Sequence, residues 1–343
     1  MLAERQIHTD VLAVGDTSTG GHPLFIDGHH VHVAKRDLKV ASTDLSWEAV
    51  GRFRDLAAAA DVVHYHHPWP AGDVLYWLAG RQRPSVVTYH SDIVKQRLIR
   101  KVYAPLMHKF LDEVDCIVAT STNYRATSKV LQRHDRSVSV IPIGIGPRRP
   151  VPDATRCALQ ARVGEGFFLF LGTMRYYKGI PYLVEAARLT GLPVVLAGAV
   201  DQRSVADLPP NVTSLGEVDE DEKEALLDLC RAFVFPSNLR SEAFGIALLE
   251  GARAGKPLIS CEIGTGTSSV NVDGETGLVV APSDGEALAA AMRHIVANPD
   301  TAAAMGRNAR ARYERHFTAE EMADSYLRIY GQLSAGGRPA TSH

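Results

Sequence analysis

Residues 232–254 constrain the fold most, because they combine a short apolar run, a polar loop and a helical pattern in that order. The run 232–235 is typical of a buried β-strand, and Pro236 ends it. The pattern of 244–254 predicts a helix that stops before Gly255. Similar apolar runs alternate with helical patterns along the whole chain. The sequence therefore predicts an α/β fold with doubly wound sheets.

Two carboxylates of this segment have different settings. Glu242 lies in the predicted strand-to-helix turn, whereas Glu250 lies about two turns inside an apolar helix. Gly245 allows a ligand to approach the backbone at the helix N-terminus, where N–H groups and the helix dipole favour a phosphate. A carboxylate in apolar surroundings needs a partner, and ribose hydroxyls or an arginine would both serve. The segment predicts a ligand site, with an ion-paired Glu250 and a helix-capping Glu242 as the structural alternative.

The surrounding sequence resembles that of a known enzyme family. The E-x7-E pair of Glu242 and Glu250 lies within S-E-A-F-G-I-A-L-L-E-G, and the chain continues through E-I-G-T-G-T at 262–267 to G-E-T-G-L-V at 274–279. This block resembles the nucleotide-sugar half of the retaining GT-B glycosyltransferases of family 4. The resemblance implies two Rossmann-like domains that face each other across a cleft.

The composition suits such a protein. The chain has 343 residues, of which 45% are hydrophobic, enough for two full cores. A formal net charge of −2 gives no overall sign of nucleic-acid binding. The four cysteines are scattered without a C-x-x-C pair, and no apolar run approaches the roughly 20 residues of a membrane helix. We therefore predict reduced thiols and a cytoplasmic protein, with any membrane contact peripheral and at the cytoplasmic face of the inner membrane.

The chain divides at a segment rich in glycine and proline, 144–152. We predict an N-terminal Rossmann-like acceptor domain over 1–147, a C-terminal Rossmann-like nucleotide-sugar domain over 148–318, and a last helix over 319–335 that crosses back to the first domain. Family members normally have a strand and a Gly-Gly loop before a segment like 2–5. We expect this chain to begin about two dozen residues after the usual start, so that the N-terminal domain lacks its first strand.

Histidines follow two predicted strands of the first domain. His64, His66 and His67 end one strand, and His90 follows the next at its carboxyl end, where open α/β sheets bind ligands. Because no carboxylate or cysteine set accompanies them, polar contacts in the acceptor cleft are favoured over a zinc site. The family resemblance assigns His90 to the donor sugar, where it would support developing positive charge. A satisfied loop histidine is the alternative.

A basic amphipathic segment comes next. Its cations are Lys95, Arg97, Arg100, Lys101 and Lys109, interspersed with apolar residues on a predicted helix. Such a helix suits contact with an anionic membrane, and a solvated charged face is the alternative. The membrane interpretation has weight because the resembled enzymes use lipid-linked acceptors.

A second anion site is predicted after the first strand of the C-terminal domain, in the loop G-T-M-R-Y-Y-K-G over 172–179. The family usually has an arginine directly after the first glycine and a lysine before the last, and both grip the leaving diphosphate. Lys178 matches the lysine, whereas Thr173 stands in the place of the arginine. Arg175 is the substitute that we assign, with a surface role as the alternative.

The remaining donor contacts come from the resemblance. Gly216 and Glu217 occupy the family's base-contacting edge, and the helix segment adds Phe244, Gly245, Ile246 and Glu250. The acidic run 219–221 has the D-x-D form of a metal motif, which a GT-A enzyme would need. Acids at the start of a helix complement its dipole, so we interpret the run as a helix start.

The resemblance implies transfer of a hexose with retention at the anomeric carbon, without a metal or another cofactor. The catalytic residues would be His90, Glu242 and Lys178, with Glu242 holding the donor sugar and the cation stabilising the leaving diphosphate. Segments 87–92 and 175–179 resemble those of bacterial mannosyl- and rhamnosyltransferases that build O-antigen-type lipopolysaccharide. We therefore expect GDP-mannose or GDP-rhamnose as donor and a lipid-linked saccharide as acceptor.

Other classes share this architecture. A dinucleotide-dependent dehydrogenase or a nucleotide-sugar epimerase would carry G-x-G-x-x-G after its first strand, and this sequence has none there. A non-catalytic sugar-nucleotide-binding protein remains open if the short start removes the first loop. Spectroscopic nicotinamide binding, or nucleotide binding without transfer, would identify these alternatives.

Overall fold

The computed structural model of the protein describes residues 2–40, 43–92, 97–135, 138–199 and 207–336. The chain forms two compact units. The first comprises Met1–Thr120, Ser128–Ile141 and Glu320–His343, and the second comprises Ser121–Thr127 and Pro142–Ala319.

The first unit begins with a small mixed sheet. Its strands are β1 (Asp10–Gly15), β2 (Leu24–Ile26) and β3 (His29–Lys35), with β3 in the centre, parallel to β1 and antiparallel to β2. A short antiparallel pair, β4 (Leu38–Val40) and β5 (Thr43–Leu45), leads to helix α1 (Trp47–Ala59). Ser46 caps α1 by accepting a hydrogen bond from Ala49 N–H, which satisfies one of the free donors of the first turn.

A four-stranded parallel sheet follows, in the order β6-β7-β8-β9. The elements in chain order are β6 (Val63–His67), α2 (Pro70–Leu75) with a π-helical turn at Tyr76–Gly80, β7 (Ser85–Tyr89), α3 (Arg97–Glu113), β8 (Cys116–Ala119), α4 (Thr122–Thr127), α5 (Lys129–Arg133) and β9 (Val138–Val140). The segment between β8 and β9 forms two short helices, because Ser128 leaves the helical conformation and caps α5.

The second unit contains a six-stranded parallel sheet in the order β12-β11-β10-β13-β14-β15. Its elements are α6 (Asp153–Val163), β10 (Phe168–Leu171), α7 (Ile180–Thr190), β11 (Val194–Ala197), β12 (Val212–Gly216), α8 (Glu220–Leu229), β13 (Ala232–Phe235), α9 (Ile246–Arg253), β14 (Leu258–Cys261), α10 (Thr267–Val270), β15 (Gly277–Val280), α11 (Gly285–Ala297) and α12 (Pro299–His316). The order reverses between β10 and β13, which makes this a doubly wound Rossmann-type sheet.

Both faces of this sheet are covered. Alternate residues of β10 enter different cores, so that Leu169 and Leu171 lie in one and Phe168 and Phe170 in the other. The first core is completed mainly by α6, α8 and α9, and the second mainly by α7 and α11. This two-sided burial explains why the strands of the second unit are continuous apolar runs in the sequence.

The last helix, α13 (Ala319–Ser334), packs on the first unit. Ile329 and Leu333 join the buried cluster of Val86 and Cys116. Within the described ranges, every helix is too short or too polar to span a lipid bilayer.

The second unit begins at Pro142, earlier than the boundary expected at 148. Ile145 exchanges backbone hydrogen bonds with the chain after α12, donating to Phe317 O and accepting from Ala319 N–H, each at 3.0 Å. Gly144 packs so closely there that a Cβ atom would lie 2.1 Å from Thr318 O. The glycine- and proline-rich segment is thus tied to the second unit by its backbone.

Candidate active site

Lys178 and Glu242 meet where the strand order of the second unit reverses. Lys178 follows β10 and Glu242 follows β13, and these two strands are neighbours. The Lys178 ammonium donates a hydrogen bond to Glu242 Oε2, and Ser237 Oγ donates to the same oxygen at 3.2 Å. The two side chains are only 13% and 12% exposed. Because open α/β sheets bind ligands at such a switch point, this pair marks the candidate site.

The two loops that carry this pair lock together through Gly179. This residue has φ +68°, and a Cβ atom on it would lie 1.9 Å from Pro236 O. Asn238 N–H also donates to Tyr177 O at 3.0 Å. Lys178 therefore needs a glycine after it, since no other residue allows the loop after β10 to lie against the loop after β13.

The helix after Glu242 starts at Ile246 rather than Phe244. Gly245 is its N-cap with φ +89°, and no side chain caps the first turn. The N–H groups of Gly245 and Ile246 come before the first hydrogen bond of the helix, which Leu248 N–H donates to Gly245 O at 2.9 Å, and they are positioned for an anion. Ile246 is half exposed, whereas Phe244 is 3% exposed and packs edge-on against Phe317. The Phe244 side chain belongs to the core, so a donor contact at this residue would be made by its backbone.

Glu250 is ion-paired. Its Oε1 accepts a hydrogen bond from Lys223 Nζ at 2.7 Å, and Lys223 also contacts Glu220 at 2.8 Å. Desolvation lowers the pKa of Lys223, but the hydrogen bonds to Glu220 and Glu250 outweigh it and raise the pKa above its usual value. The ion-paired alternative thus holds for Glu250, whereas Glu242 does not cap the helix.

Lys223 was not foreseen, because it follows a run of acids that is typical of a solvated helix start. That interpretation is confirmed for the start itself. Asp219 accepts from Glu222 N–H at 2.8 Å, and Glu222 accepts from Asp219 N–H at 3.0 Å. The run 219–221 therefore starts α8, where Asp219 and Glu222 form a capping box.

The other donor-site candidates lie at the same carboxyl end of the sheet. Gly216 ends β12 with φ +76°, and its carbonyl accepts from Gly198 N–H at 2.6 Å. Glu217 is exposed in the loop that follows. Arg175 is exposed after β10. The side chains of Glu217 and Arg175 are exposed, and among the described residues neither forms an ion pair with Lys178 or Glu242.

His90 belongs to a column of imidazoles in the first unit. Its ring stacks on His66 at 5.2 Å between centroids, and His66 stacks on His64 at 4.7 Å. The His66 Nδ1 and His90 Nε2 atoms are 2.9 Å apart, a hydrogen bond between neutral rings. Burial, with a smaller effect of His66, lowers the pKa of His90 to about 4. His90 is therefore uncharged at neutral pH.

Hydroxyl groups anchor the other end of the column. His64 contacts Tyr330 OH through Nδ1 at 2.6 Å and Thr88 Oγ1 through Nε2 at 2.7 Å. Tyr326 OH lies 2.7 Å from the same threonine oxygen. These contacts to β7 and α13 fix the ring of His64. Both His64 and His66 therefore make polar and stacking contacts.

His67 belongs to a buried polar group beside this column, and the sequence did not indicate its partners in that group. His67 is 1% exposed, stacks on Tyr89 at 4.7 Å, and has no hydrogen-bond partner for either ring nitrogen in the described part of the chain. Tyr103 OH donates to Asp73, a buried carboxyl whose pKa burial raises to about 7. Only tertiary neighbours reveal this group, since its members are far apart in sequence.

The basic segment can be described only in part. Lys95 and the side chains of Arg97, Arg100 and Lys101 lie outside the described residues. Lys109 is exposed, with its Nζ 4.3 Å from the centre of the Trp77 ring. The membrane-contact interpretation of this segment stays a prediction.

Comparison with known proteins agrees with this geometry. Residues 1–149 match the family described as Glycosyltransferase Family 4, and residues 153–312 match Glycosyl transferases group 1. A D-rhamnosyltransferase of Pseudomonas aeruginosa is 50% identical over 88% of this chain and 82% of its own. The O-antigen chain mannosyltransferase C of Escherichia coli is 43% identical over 96% of this chain and 91% of its own.

Solved structures show the same fold. A sucrose-phosphate synthase from Thermosynechococcus elongatus superposes with a TM-score of 0.81, at 22% identity, over 98% of this chain and 91% of its own. The structural likeness agrees with the two Rossmann-like units described above. The chain belongs to the family 4 glycosyltransferases of group 1 and has their GT-B fold.

Proposed function

We propose that the protein transfers rhamnose or mannose from a GDP-sugar to a lipid-linked saccharide during synthesis of a bacterial O-antigen, with retention at the anomeric carbon. The names of the two relatives support the sugar and the pathway. The reaction takes place at the cytoplasmic face of the inner membrane, and α3 supplies the peripheral contact with anionic lipid. One observation carries the assignment of the reacting centre. It is the Lys178–Glu242 pair at the switch point of the second sheet.

The donor diphosphate is held by positive groups that the fold brings together. Lys178 and the N–H groups of Gly245 and Ile246 at the start of α9 provide one ammonium and one helix N-terminus at the carboxyl end of the sheet. Arg175, exposed in the same loop as Lys178, adds a second cation. These groups stabilise the negative charge that develops on the leaving phosphate, so the transfer needs no metal ion.

The nucleoside and the sugar bind to the two carboxylates. Glu250 exchanges Lys223 for the ribose hydroxyls, or shares its oxygens between them. Glu242 holds the hydroxyls of the donor sugar, and Gly216 and Glu217 border the guanine base. Glu242 binds the sugar rather than attacking it, while its Oε2 accepts hydrogen bonds from Lys178 and Ser237.

The transfer requires no nucleophile from the enzyme. The bond between the anomeric carbon and the phosphate oxygen breaks, and its electron pair leaves with GDP. The acceptor oxygen forms its bond on the same face of the sugar, and its proton passes to the departing phosphate. His90, neutral because of its lowered pKa, contacts the sugar through Nδ1, since His66 engages Nε2.

A panel of nucleotide sugars tests this function. We expect GDP release from GDP-rhamnose or GDP-mannose only when a lipid-linked saccharide is present. NMR should show that the transferred sugar keeps the anomeric configuration that it has in the donor. Preference for UDP-glucose would refute the GDP assignment. An inverted product would refute retention. Activity abolished by EDTA in protein that circular dichroism shows to be folded, and restored by a divalent ion, would refute metal-independent transfer.

A further inference from the structure

Three histidines surround one carboxylate on the small sheet of the first unit. Asp10 begins β1 and stands opposite His30 in the parallel register of β3. His32 lies two residues further along and therefore on the same face as His30. His30 N–H donates to Thr9 O at 3.1 Å, which holds His8 beside them.

The carboxylate is within reach of all three rings. His8 Nε2 lies 3.0 Å from Asp10 Oδ2, and His32 Nε2 lies 2.8 Å from Oδ1. His30 Nδ1 is 4.0 Å from Oδ1, and the His8 and His30 rings are in contact at 4.9 Å between centroids. Three imidazole rings thus lie within 4.0 Å of the Asp10 carboxylate, and two of them are at hydrogen-bond distance.

These are the atoms that zinc and similar ions prefer. Imidazole nitrogen and carboxylate oxygen bind Zn²⁺ at about 2.0–2.2 Å, in sites that are usually tetrahedral. One ligand atom each from His8, Asp10 and His30 already lie within 4.8 Å of one another. The His8 and His30 side chains are 69% and 39% exposed, so their rings are free to rotate by the small amount that coordination requires.

We propose that His8, Asp10 and His30 bind a divalent transition-metal ion of the zinc class, with water as the fourth ligand. His32 holds the carboxylate in place by its hydrogen bond, a positioning role. The ion fastens the segment before β1 to β3 and so stabilises the first sheet. This metal site is separate from the transfer reaction, since none of its residues belongs to the donor-binding or catalytic set.

Isothermal titration with Zn²⁺ tests the site. The protein is prepared without a polyhistidine tag, treated with EDTA and dialysed. We expect one ion per chain, a rise in melting temperature with added Zn²⁺, and cobalt absorption of a tetrahedral nitrogen and oxygen site. His8→Ala, Asp10→Asn and His30→Ala should each weaken binding more than about tenfold, as should their combination. His32→Ala should weaken it about tenfold or less.

His294→Ala is the matched control, since His294 is an exposed histidine on α11 of the second unit. It should bind one ion with unchanged affinity. Circular dichroism of each metal-free variant shows whether the sheet is still folded, and GDP release reports the transfer separately. Binding that survives the triple replacement, or Zn²⁺ that leaves the melting temperature of the wild type unchanged, would overturn the proposal.

Discussion

Replacement of Lys178 by methionine separates the catalytic role of this residue from its structural role. Methionine preserves the length of the stem and its packing on Phe235, whose ring centre lies 4.7 Å from the lysine Nζ. The charge is lost, and Glu242 keeps only the hydrogen bond from Ser237 at 3.2 Å. The variant therefore tests the ammonium group itself.

The stability effect follows from the partial burial of the pair. An exposed ion pair contributes about 0–1 kcal/mol, whereas removal of one partner from a buried pair costs about 3–5 kcal/mol. Because both side chains retain about one-eighth exposure and Ser237 remains a donor, we expect a loss of about 2 kcal/mol. For a unit of this size, that loss lowers the melting temperature by about 4–8 °C.

The effect on turnover should be larger. A group that stabilises charge developing in the transition state contributes about 2.7–4 kcal/mol, so kcat/KM should fall about 10²–10³-fold. The assay is GDP release at a temperature where circular dichroism shows the variant to be folded. Lys178→Arg should recover part of the rate, because it restores a positive charge.

Lys256→Met is the matched control. Lys256 also lies in the second unit and donates to two backbone carbonyls, Asp228 O and Cys230 O, each at 2.9 Å. Its loss should lower the melting temperature and leave kcat/KM within about threefold. If Lys178→Met lowers kcat/KM less than about fivefold, or no more than Lys256→Met does, the catalytic assignment is wrong.

Three further predictions use other parts of the molecule. Glu250→Ala removes a charged hydrogen-bond acceptor for the ribose, while Lys223 keeps its ion pair with Glu220. The KM for the donor should therefore rise about tenfold or more, with kcat nearly unchanged. Equal small changes in KM and kcat would contradict the binding role. Burial lowers the pKa of His67 to about 3, below its unfolded value, so its contribution to stability is present above about pH 6.5 and is lost on acidification. His64 and His90 also have lowered pKa values and lose stability over the same range, so the test compares two proteins. Between pH 7 and 5, urea unfolding of the wild type should lose about 2 kcal/mol more than that of His67→Phe, and equal losses would exclude this cause. Arg253→Ala leaves the buried Glu224 without one of its cations and should destabilise the protein by about 3 kcal/mol in the same assay, whereas a loss under about 1 kcal/mol would show that the pair is not important.

The second unit was predictable from sequence because its strands are buried on both faces. Phe168–Leu171 and Ala232–Phe235 are continuous apolar runs, and each strand is followed by a loop that leads into a helix. In the first unit, every residue of the strand Leu24–Ile26 is exposed. The strand therefore has no alternation of buried apolar and exposed polar residues by which the sequence could reveal it. Local signals also identified the helix start at 219–221, since the acids that favour a helix N-terminus are neighbours in sequence.

The ion-pair partners were not predictable in this way. Lys223 and Glu250 lie on different helices, and Arg253 reaches Glu224 and the carbonyl of Gly146. Each pair depends on how helices pack over the sheet, which no local spacing specifies. The same holds for His67, whose burial against Tyr89 follows from neighbouring strands.

Both site carboxylates are paired with lysines that follow other strands, so donor binding must compete with these pairs. A diphosphate competes with Glu242 for Lys178, because one ammonium serves both anions. Glu242→Gln should therefore strengthen the binding of GDP about three- to tenfold, since about 1 kcal/mol of competing attraction is removed. It should also slow transfer, because the donor sugar loses a charged acceptor. Calorimetric titration with GDP measures the first effect, with Glu314→Gln, an exposed carboxylate on α12, as control. Weaker GDP binding in Glu242→Gln would show that Glu242 positions Lys178 for the phosphate rather than competing with it.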